Sequence, residues 1–469
     1  MGRTAVVIGS GPNGLAGAAV LAREGYAVTV LEAHDEVGGG TRSAELTVPG
    51  LIHDVCSVAH PIGAISPVFA DLELARHGLE LVNAEVEVAQ VLDGGRAAVM
   101  LRDLDATVAR LGADGPAWRR TFAPLLPHAD QIAAEILGPL PHLPAHPVPL
   151  ARFAPRAALP STLLTRRWST EEARGLFAGF AAHVGQPLDM PATGGIGLLF
   201  GMLGHTVGWP FAVGGSRAIA AALVAALGEA GGTVETGTRV TTLPEADIVL
   251  LDTSPTDALR IAGEVMPARV ARAYRRFRRG GAAYKVDLAV RGGVPWTHPD
   301  ARRAGTVHVG GTLEEIHAAE QEVRAGRLPQ RPFVLVCQQY LADPGRSVGD
   351  LHPVWAYGHV PHGFTGDATA AVLDQIERFA PGLRDHIEHI AVRRPADLAA
   401  ENANYVGGDI SGGATTLRQT VFRPRVAWDP YRIADGVYLC SSSTPPGGGV
   451  HGMAGYHAAR RALRAARRR

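Results

Sequence analysis

The N-terminal stretch Ala5-Val6-Val7-Ile8-Gly9-Ser10-Gly11-Pro12-Asn13-Gly14 decides the fold of this chain. An apolar strand runs into a turn of the form Gly-x-Gly-x-x-Gly, and a small-residue helix follows. In such a unit Gly11 lets a pyrophosphate approach the backbone, and Gly14 lets the helix pack closely on the strand. The helix N-terminus offers unpaired N–H groups to the phosphates. The stretch therefore predicts a Rossmann-type dinucleotide-binding domain.

The second strand of this unit ends on an acid. Val28-Thr29-Val30-Leu31 leads into Glu32, whose carboxylate can accept hydrogen bonds from the hydroxyls of an adenosine ribose. A glycine pattern alone is weak evidence in a chain with 57 glycines, but the strand, the helix and the acid together are specific. The residues predicted to bind the cofactor here are Gly9, Ser10, Gly11, Pro12, Asn13, Gly14 and Glu32.

Composition narrows the class of protein. The 469 residues allow two domains with a large core. Because the 45 basic residues balance the 45 acidic ones, no global field favours nucleic acid or an anionic membrane. Cys56, Cys337 and Cys440 are far apart in the sequence, which suits a reducing cytosol. Nineteen scattered histidines in no recognised ligand frame predict no metal site.

No segment is expected to cross a membrane. The apolar N-terminus is interrupted by glycines and is already explained as strand, turn and helix. The longest other apolar stretch, 194–204, is too short to span a bilayer. We therefore expect a soluble, cytoplasmic protein with at most peripheral membrane contact. The basic runs 275–279 and 467–469 are expected to be solvated faces, with a weak membrane-surface role left open.

A second glycine-rich turn lies near the C-terminus. The short apolar strand at 436–440 leads into hydroxyl residues, the turn Gly447-Gly448-Gly449 and a small-residue helix over about 450–463. This order aims another helix N-terminus at an electron-rich partner. The residues predicted to bind the cofactor at this end are Ser443, Thr444, Gly449, Val450, His451, Gly452 and Met453.

The segments between these turns predict a second domain. Strand-like runs at 282–290, 306–309, 333–338 and 354–359 indicate a mixed sheet. Helical spacing at 106–111, 116–137 and 169–184, the last with Ser169 and Glu172 as a capping box, indicates a helical cap. The proline-dense centre at 139–160 predicts an irregular connection. A helix at 218–230, followed by strands near 233–235 and 248–251, returns the chain to the α/β sheet.

Several of these motifs resemble one family. Gly38-Gly39-Gly40-Thr41-Arg42 resembles the second motif of the large two-domain flavoproteins that include amine oxidases and phytoene desaturases. The runs 436–452 and 404–410 are similar to phytoene dehydrogenase-related enzymes. The resemblance implies FAD as the cofactor, held also by Gly38, Gly39, Gly40, Thr41, Arg42 and the backbone of Val240. No Cys-x-x-x-x-Cys pair is present, so disulfide reduction is excluded.

The resemblance sets the expected fold and domain boundaries. The fold class is α/β, with a discontinuous Rossmann-type FAD-binding domain (glutathione reductase-like) and a substrate domain built from a mixed sheet and helices. The FAD-binding domain is predicted to comprise 1–75, 206–262 and 412–469. The substrate-binding and cap domain is predicted to comprise 76–205 and 263–411.

The expected reaction is dehydrogenation of a C–C bond in an apolar or polyene-like small molecule, or its reverse or an isomerisation. The electron acceptor stays open among oxygen, quinone and NAD(P). Lys285 is the single lysine beside 44 arginines, so it is either a catalytic amine near the flavin or an ion-pair partner of Asp287. His451 and His60 are the other catalytic candidates. The rival functions are a flavin amine oxidase and a non-catalytic flavoprotein scaffold.

Overall fold

The computed structural model describes residues 2–468, so Arg469 of the basic C-terminal run lies outside the described residues. The strands in chain order are β1 Thr4–Ile8, β2 Ala27–Leu31, β3 Ser43–Glu45, β4 Ile52–Asp54, β5 Leu81–Val82, β6 Val86–Leu92, β7 Arg96–Met100, β8 Phe211–Ala212, β9 Thr233–Glu235, β10 Ile248–Leu251, β11 Ala282–Arg291, β12 Ala304–Val309, β13 Val334–Cys337, β14 Leu351–Val360, β15 Ile387–Arg393, β16 Arg432–Ala434 and β17 Val437–Leu439.

The α-helices in chain order are α1 Pro12–Arg23, α2 Pro61–Ala64, α3 Pro67–Asp71, α4 Leu104–Arg110, α5 Gly115–Phe122, α6 Ala129–Ile136, α7 Pro147–Ala157, α8 Ser161–Leu164, α9 Glu171–Ala182, α10 Thr193–Gly204, α11 Arg217–Glu229, α12 Pro255–Ala262, α13 Ala268–Arg275, α14 Leu313–Arg324, α15 Thr369–Glu377, α16 Leu383–His386, α17 Pro395–Glu401, α18 Leu417–Val421 and α19 Met453–Ala466.

The first sheet has the order β16-β17-β10-β1-β2-β9. Strands β17, β10, β1, β2 and β9 pair in parallel, and β16 adds an antiparallel edge. Because parallel strands end at the same edge, the turns after β1 and β17 come together there. The predicted Rossmann-type sheet, built from distant parts of the chain, is confirmed.

The second sheet has the order β15-β11-β14-β13-β12-β6-β7. Its pairs are antiparallel except for β6 with β12, so the predicted mixed sheet is also confirmed. Strands β6 and β7 precede the helical runs predicted from 106 onward, and the sequence analysis assigned no strand to this part of the chain. Alternation along β11, β13 and β14 directs one set of side chains into a buried core and the opposite set towards the first domain.

Helices α1 and α19, which follow the two glycine turns, pack against each other with unusually small separation. A Cβ on Gly455 would lie 1.7 Å from the carbonyl oxygen of Asn13. A Cβ on Gly17 would lie 3.1 Å from the carbonyl oxygen of Gly455. Only glycine permits this approach. The contact fixes the position of one turn relative to the other.

Two local predictions are wrong. The proline-dense connection contains a helix, α7, because Pro147 and Pro149 occupy its first turn, where the missing N–H groups have no helical partner in any case. Ser169 does not begin a helix. Thr170 is the cap of α9, and Ser169 instead donates its hydroxyl and backbone N–H to the carboxylate of Asp114.

Candidate dinucleotide and substrate site

A large cavity lies between the two sheets, with a volume of about 780 Å³, towards the upper end of the usual range for ligand pockets. One end is lined by the turn after β1 and by the end of β2. The C-terminal turn lines its middle, and the cavity-facing side of the second sheet closes it. The two glycine turns predicted from the sequence therefore face one space.

The first turn leaves no room for side chains. Gly9 has a φ of +100°, and a Cβ on Gly14 would lie 2.1 Å from the Gly9 carbonyl oxygen. A Cβ on Gly11 would lie 2.6 Å from a carboxylate oxygen of Asp252. Gly9, Gly11, Pro12 and Asn13 line the cavity. Bare backbone at the start of α1 thus forms the wall, as the approach of a phosphate requires.

Glu32 is held in place by its own chain. One carboxylate oxygen accepts from the Ser10 N–H at 2.8 Å and from its hydroxyl at 2.6 Å, and the other accepts from the His34 N–H at 2.8 Å. A carboxylate offers about four acceptor positions. Three are occupied by these bonds, so about one remains for a ribose hydroxyl. Val240 lines the same end of the cavity, where an adenine was predicted.

The second glycine loop packs against the first. The Gly38 N–H donates to the Ser10 carbonyl at 3.1 Å, and a Cβ on Gly40 would lie 2.1 Å from the Tyr405 hydroxyl. The buried guanidinium of Arg42 donates to the Gly39 carbonyl at 3.1 Å and forms an ion pair with Glu401 at 3.7 Å. Gly39, Gly40, Thr41 and Arg42 all line the cavity.

Asp252 is a functional candidate that the sequence analysis did not identify. It follows β10, lies between the two glycine turns and accepts from the Gly14 N–H at 2.9 Å. Burial raises its pKa to about 7, against the lowering effect of Gly14, and the nearby carboxylate of Glu32 raises it further. Its place directly after an apolar strand of a Rossmann-type sheet was the available sequence signal.

The C-terminal turn presents His451 to the cavity. The Met453 N–H donates to Nδ1 of His451 at 3.0 Å, so the proton of the neutral ring lies on Nε2. Burial lowers the pKa of His451 to about 4, while the carbonyls of Gly447 and Gly448 raise it slightly. Nε2 has no well-formed hydrogen bond within residues 2–468. His451 is therefore a neutral donor beside the cavity, and Gly449 and Val450 line the wall next to it.

Other predicted binding residues lie behind this wall. The Ser443 hydroxyl donates to the Gly412 carbonyl at 2.9 Å, and the Thr444 hydroxyl donates to the Ser441 carbonyl at 2.7 Å. These two residues support the turn, whose cavity surface is formed by Ser442 and Pro446–Gly448. The predicted residues that do not line the cavity are Ser10, Gly14, Gly38, Ser443, Thr444, Gly452 and Met453.

The predicted catalytic residues Lys285 and His60 also lie outside the lining. Lys285 is buried on β11, is paired with Asp287 and has its ammonium 5.4 Å from the centre of the Trp355 ring. His60 is buried, bonds through Nε2 to the Ser216 hydroxyl at 2.8 Å, and has its pKa lowered to about 4 by burial. The contacts of Lys285 and His60 neither support nor contradict a catalytic role, so both roles stay predictions.

The second sheet supplies aromatic residues that the sequence analysis missed. Trp355 and Tyr357 alternate along β14, line the cavity and meet edge to face, with ring centres 5.1 Å apart. Register places Cys337 opposite Trp355 and Leu335 opposite Tyr357, and both of these also line the cavity. The available signal was the alternation in Val354–His359, which directs every second side chain to one face.

The far lobe of the cavity is apolar. Helices α6, α7 and α10 and the residues that directly follow α6 and α10 line it, and no carboxylate lines it among the described residues. The residues of this lobe are Ile136, Leu137, Leu140, Leu150, Phe153, Ile196, Leu199, Phe200 and Trp209. His183 borders the lobe, bonds to His308 at 3.1 Å and has its pKa lowered to about 3 by burial, so it adds no charge.

The fold and the cavity define a two-domain protein of the dinucleotide-binding class. Residues 7–72 match the family model of the NAD(P)-binding Rossmann-like domain. Pyridine nucleotide-disulfide oxidoreductase domain-containing protein 2 of Rattus norvegicus is 25% identical to this chain, over 97% of this chain and 92% of its own length. This similarity confirms the resemblance stated from the sequence.

Two solved structures share the fold of nearly the whole chain. An oxidoreductase from Methanosarcina mazei matches with a TM-score of 0.65 at 16% identity, covering 98% of this chain and 100% of its own. Putrescine oxidase bound to putrescine matches with a TM-score of 0.62 at 18% identity, covering 98% of each chain. At such low identity these matches establish the architecture and leave the substrate open.

Proposed function

We propose that this protein is an FAD-dependent oxidoreductase that dehydrogenates, saturates or isomerises a C–C bond of an apolar or polyene-like molecule. The observation that carries the proposal is the continuity of the cavity. One end has the bare glycine backbone and ribose-binding acid of a dinucleotide site, and the other end is an apolar lobe. A cofactor and an apolar substrate can thus meet in one space.

The residues present fit FAD. The first turn and the N-terminus of α1 would hold the pyrophosphate, and Glu32 would hold the ribose. The C-terminal turn, with the free Nε2–H of His451, would face the flavin end. When bound, the flavin supplies a hydride acceptor at N5. Plain nicotinamide dehydrogenases seldom need a second glycine-rich loop after the ribose-binding acid, such as Gly38-Gly39-Gly40, so the loop favours FAD.

The chain's own task is to orient the substrate and exclude water. Trp355 and Tyr357 form a rigid aromatic wall beside the site of the expected reaction, and the apolar lobe desolvates the rest of the molecule. His451 is neutral well above pH 4 and can donate a hydrogen bond without introducing a charge. Such a site favours an uncharged substrate because a buried cation would lose its hydration without gaining a carboxylate.

Amine oxidation is the second candidate. The edge-to-face pair of Trp355 and Tyr357 is an observation in its favour, since aromatic faces attract cations. The lobe without carboxylates counts against it.

Anaerobic bleaching of the flavin separates the candidates. The protein loaded with FAD is mixed with polyenes, with apolar lipids that carry a saturated C–C bond, and with primary amines and polyamines. Bleaching by the first two classes supports the proposal. Bleaching by amines alone would replace it with the amine oxidase, and a flavin that no compound reduces would favour the scaffold function.

A further inference from the structure

The surface around the mouth of the apolar lobe differs from the rest of the molecule. Two segments form it, 136–170 and 410–428, which together we call the acid-free rim. Neither contains Asp or Glu, although the whole chain has about one acid in every ten residues. Leu140 and Leu417 each line the cavity and are also exposed, so both segments reach its opening.

The two segments are neighbours in space. His457 on α19 bonds through Nε2 to the Leu137 carbonyl at 2.9 Å, at the start of the first segment. Its ring stacks on Tyr431, three residues after the second segment ends, with ring centres 6.1 Å apart. The same side chain thus contacts the first segment and the stretch of chain just after the second.

Exposed large apolar side chains are concentrated on this rim. Leu143 is 95% exposed and Trp428 is 90% exposed, whereas the other five tryptophans are buried. Eight of the eleven exposed large apolar residues of the described chain fall in the two segments. They are Leu140, Leu143, Val148, Leu163, Leu417, Phe422, Val426 and Trp428. Such clustering on a water-facing surface is typical of an interaction site.

Three exposed arginines of the rim lack a carboxylate partner, whereas His142 and His146 pair with Glu135 at its edge. Arg152, Arg166 and Arg418 are exposed, and none of them forms an ion pair with a carboxylate within residues 2–468. Cations beside exposed leucine and tryptophan side chains match the surface of an anionic bilayer, which attracts arginine electrostatically and at whose headgroup level tryptophan is enriched. No described helix is long and apolar enough to cross a membrane, so any contact lies at the surface.

We propose that the acid-free rim docks on an anionic lipid bilayer, with the cavity mouth facing the lipid. An apolar substrate would then enter the lobe without crossing water. The proposed docking depends only on the residues of the acid-free rim, whereas the proposed delivery of substrate rests on the proposed function. Measuring FAD content and vesicle binding on the same sample separates a failure of one from a failure of the other.

The test is flotation of the FAD-loaded protein with vesicles of phosphatidylcholine alone and with vesicles containing phosphatidylglycerol. We expect binding to the anionic vesicles that weakens with salt, and a fall of at least roughly tenfold in partitioning for Leu143→Ser/Trp428→Ser. The matched control is Val265→Ser/Ile390→Ser, which removes exposed apolar residues elsewhere and should leave binding unchanged. Circular dichroism confirms that each variant is folded.

Trp428 also provides a direct readout. Because Trp428 is exposed, acrylamide should quench its fluorescence in solution. This quenching should fall when anionic vesicles are added, because the lipid shields the side chain. Absence of vesicle binding, equal loss in the control variant, or unchanged quenching would overturn the proposal. So would a dimer that masks Trp428 without lipid and dissociates in the Leu143→Ser/Trp428→Ser variant, since the rim would then bind a second copy.

Discussion

Lys285 is buried in a cluster that contains more charged and titratable groups than its ion pair with Asp287. Asp287 faces its ammonium and also lies 3.5 Å from a guanidinium nitrogen of Arg393 and 3.6 Å from Nδ1 of His53. Burial lowers the pKa of Lys285, and the Asp287 charge opposes that shift. A lysine at this position therefore has a structural task that the sequence alone could not separate from catalysis.

Replacing Lys285 with Met should destabilise the fold by up to about 3 kcal/mol, because the buried Asp287 loses its nearest cation and keeps only the longer contacts to Arg393 and His53. Lys285→Met/Asp287→Leu should recover part of that loss. Urea unfolding measures both. Flavin kinetics on the FAD-loaded Lys285→Met protein test the sequence-based prediction. Reduction or reoxidation slowed at least roughly tenfold would support a catalytic lysine, whereas unchanged rates would leave the structural role alone.

Asp252 gives the site a pH dependence. Its pKa rises from an ordinary 3.8 to about 7, so between these values the folded protein holds a proton that the unfolded chain has released. Its contribution to stability is therefore complete below pH 4 and is lost as the pH rises through about 7. Above that pH the carboxylate charge also opposes a bound pyrophosphate.

The variant Asp252→Asn should abolish this dependence, since the amide oxygen can still accept from the Gly14 N–H. We expect the variant and the parent protein to bind FAD equally at pH 5, and the variant to bind it several-fold more tightly at pH 8. Melting temperature and the Kd for FAD across this range provide the measurement. Parallel pH curves for the two proteins would show that Asp252 does not titrate as proposed.

At the scale of elements, the crossing of α1 and α19 joins the two glycine turns. Gly455→Ala should cost about 1–3 kcal/mol, because the new methyl group meets the Asn13 backbone and forces the helices apart. FAD affinity should fall with it, since both turns move. Chemical denaturation and FAD titration of the variant provide the test.

Gly228→Ala on α11 is the matched control. Its Cβ would meet no atom within 4 Å, so only helix propensity changes, with a gain of up to about 1 kcal/mol. If Gly455→Ala changed stability and FAD affinity no more than this control does, the close packing of α1 and α19 would not be what positions the turns.

The elements also show what the sequence could and could not predict. Strand, glycine turn and helix were predictable because Gly9 and Gly14 meet local steric demands that few other residues satisfy. Helix α7 was not, because prolines in a first turn look the same in sequence as prolines in a loop. The aromatic wall at Trp355 and Tyr357 depends on which face of β14 meets the first domain, and that is a tertiary fact.

The two halves of the candidate site come together from distant parts of the folded chain. Turns more than 400 residues apart in the chain line a single cavity whose far lobe is apolar and opens at the acid-free rim. The sequence predicted that the turns meet, because both follow parallel strands of the same sheet. It did not predict the rim, because the two segments are far apart in the sequence and come to the same cavity only in the folded chain.

The most direct test of this convergence is the absorption spectrum of the purified, folded protein after incubation with FAD and removal of the free cofactor. We expect a yellow protein with about one FAD per chain. Retention should be much weaker in a Gly11→Val variant, because the added side chain meets the Asp252 carboxylate and distorts the turn that the phosphates must approach. A folded protein that stays colourless, or a Gly11→Val variant that retains FAD as well as the parent does, would contradict this convergence.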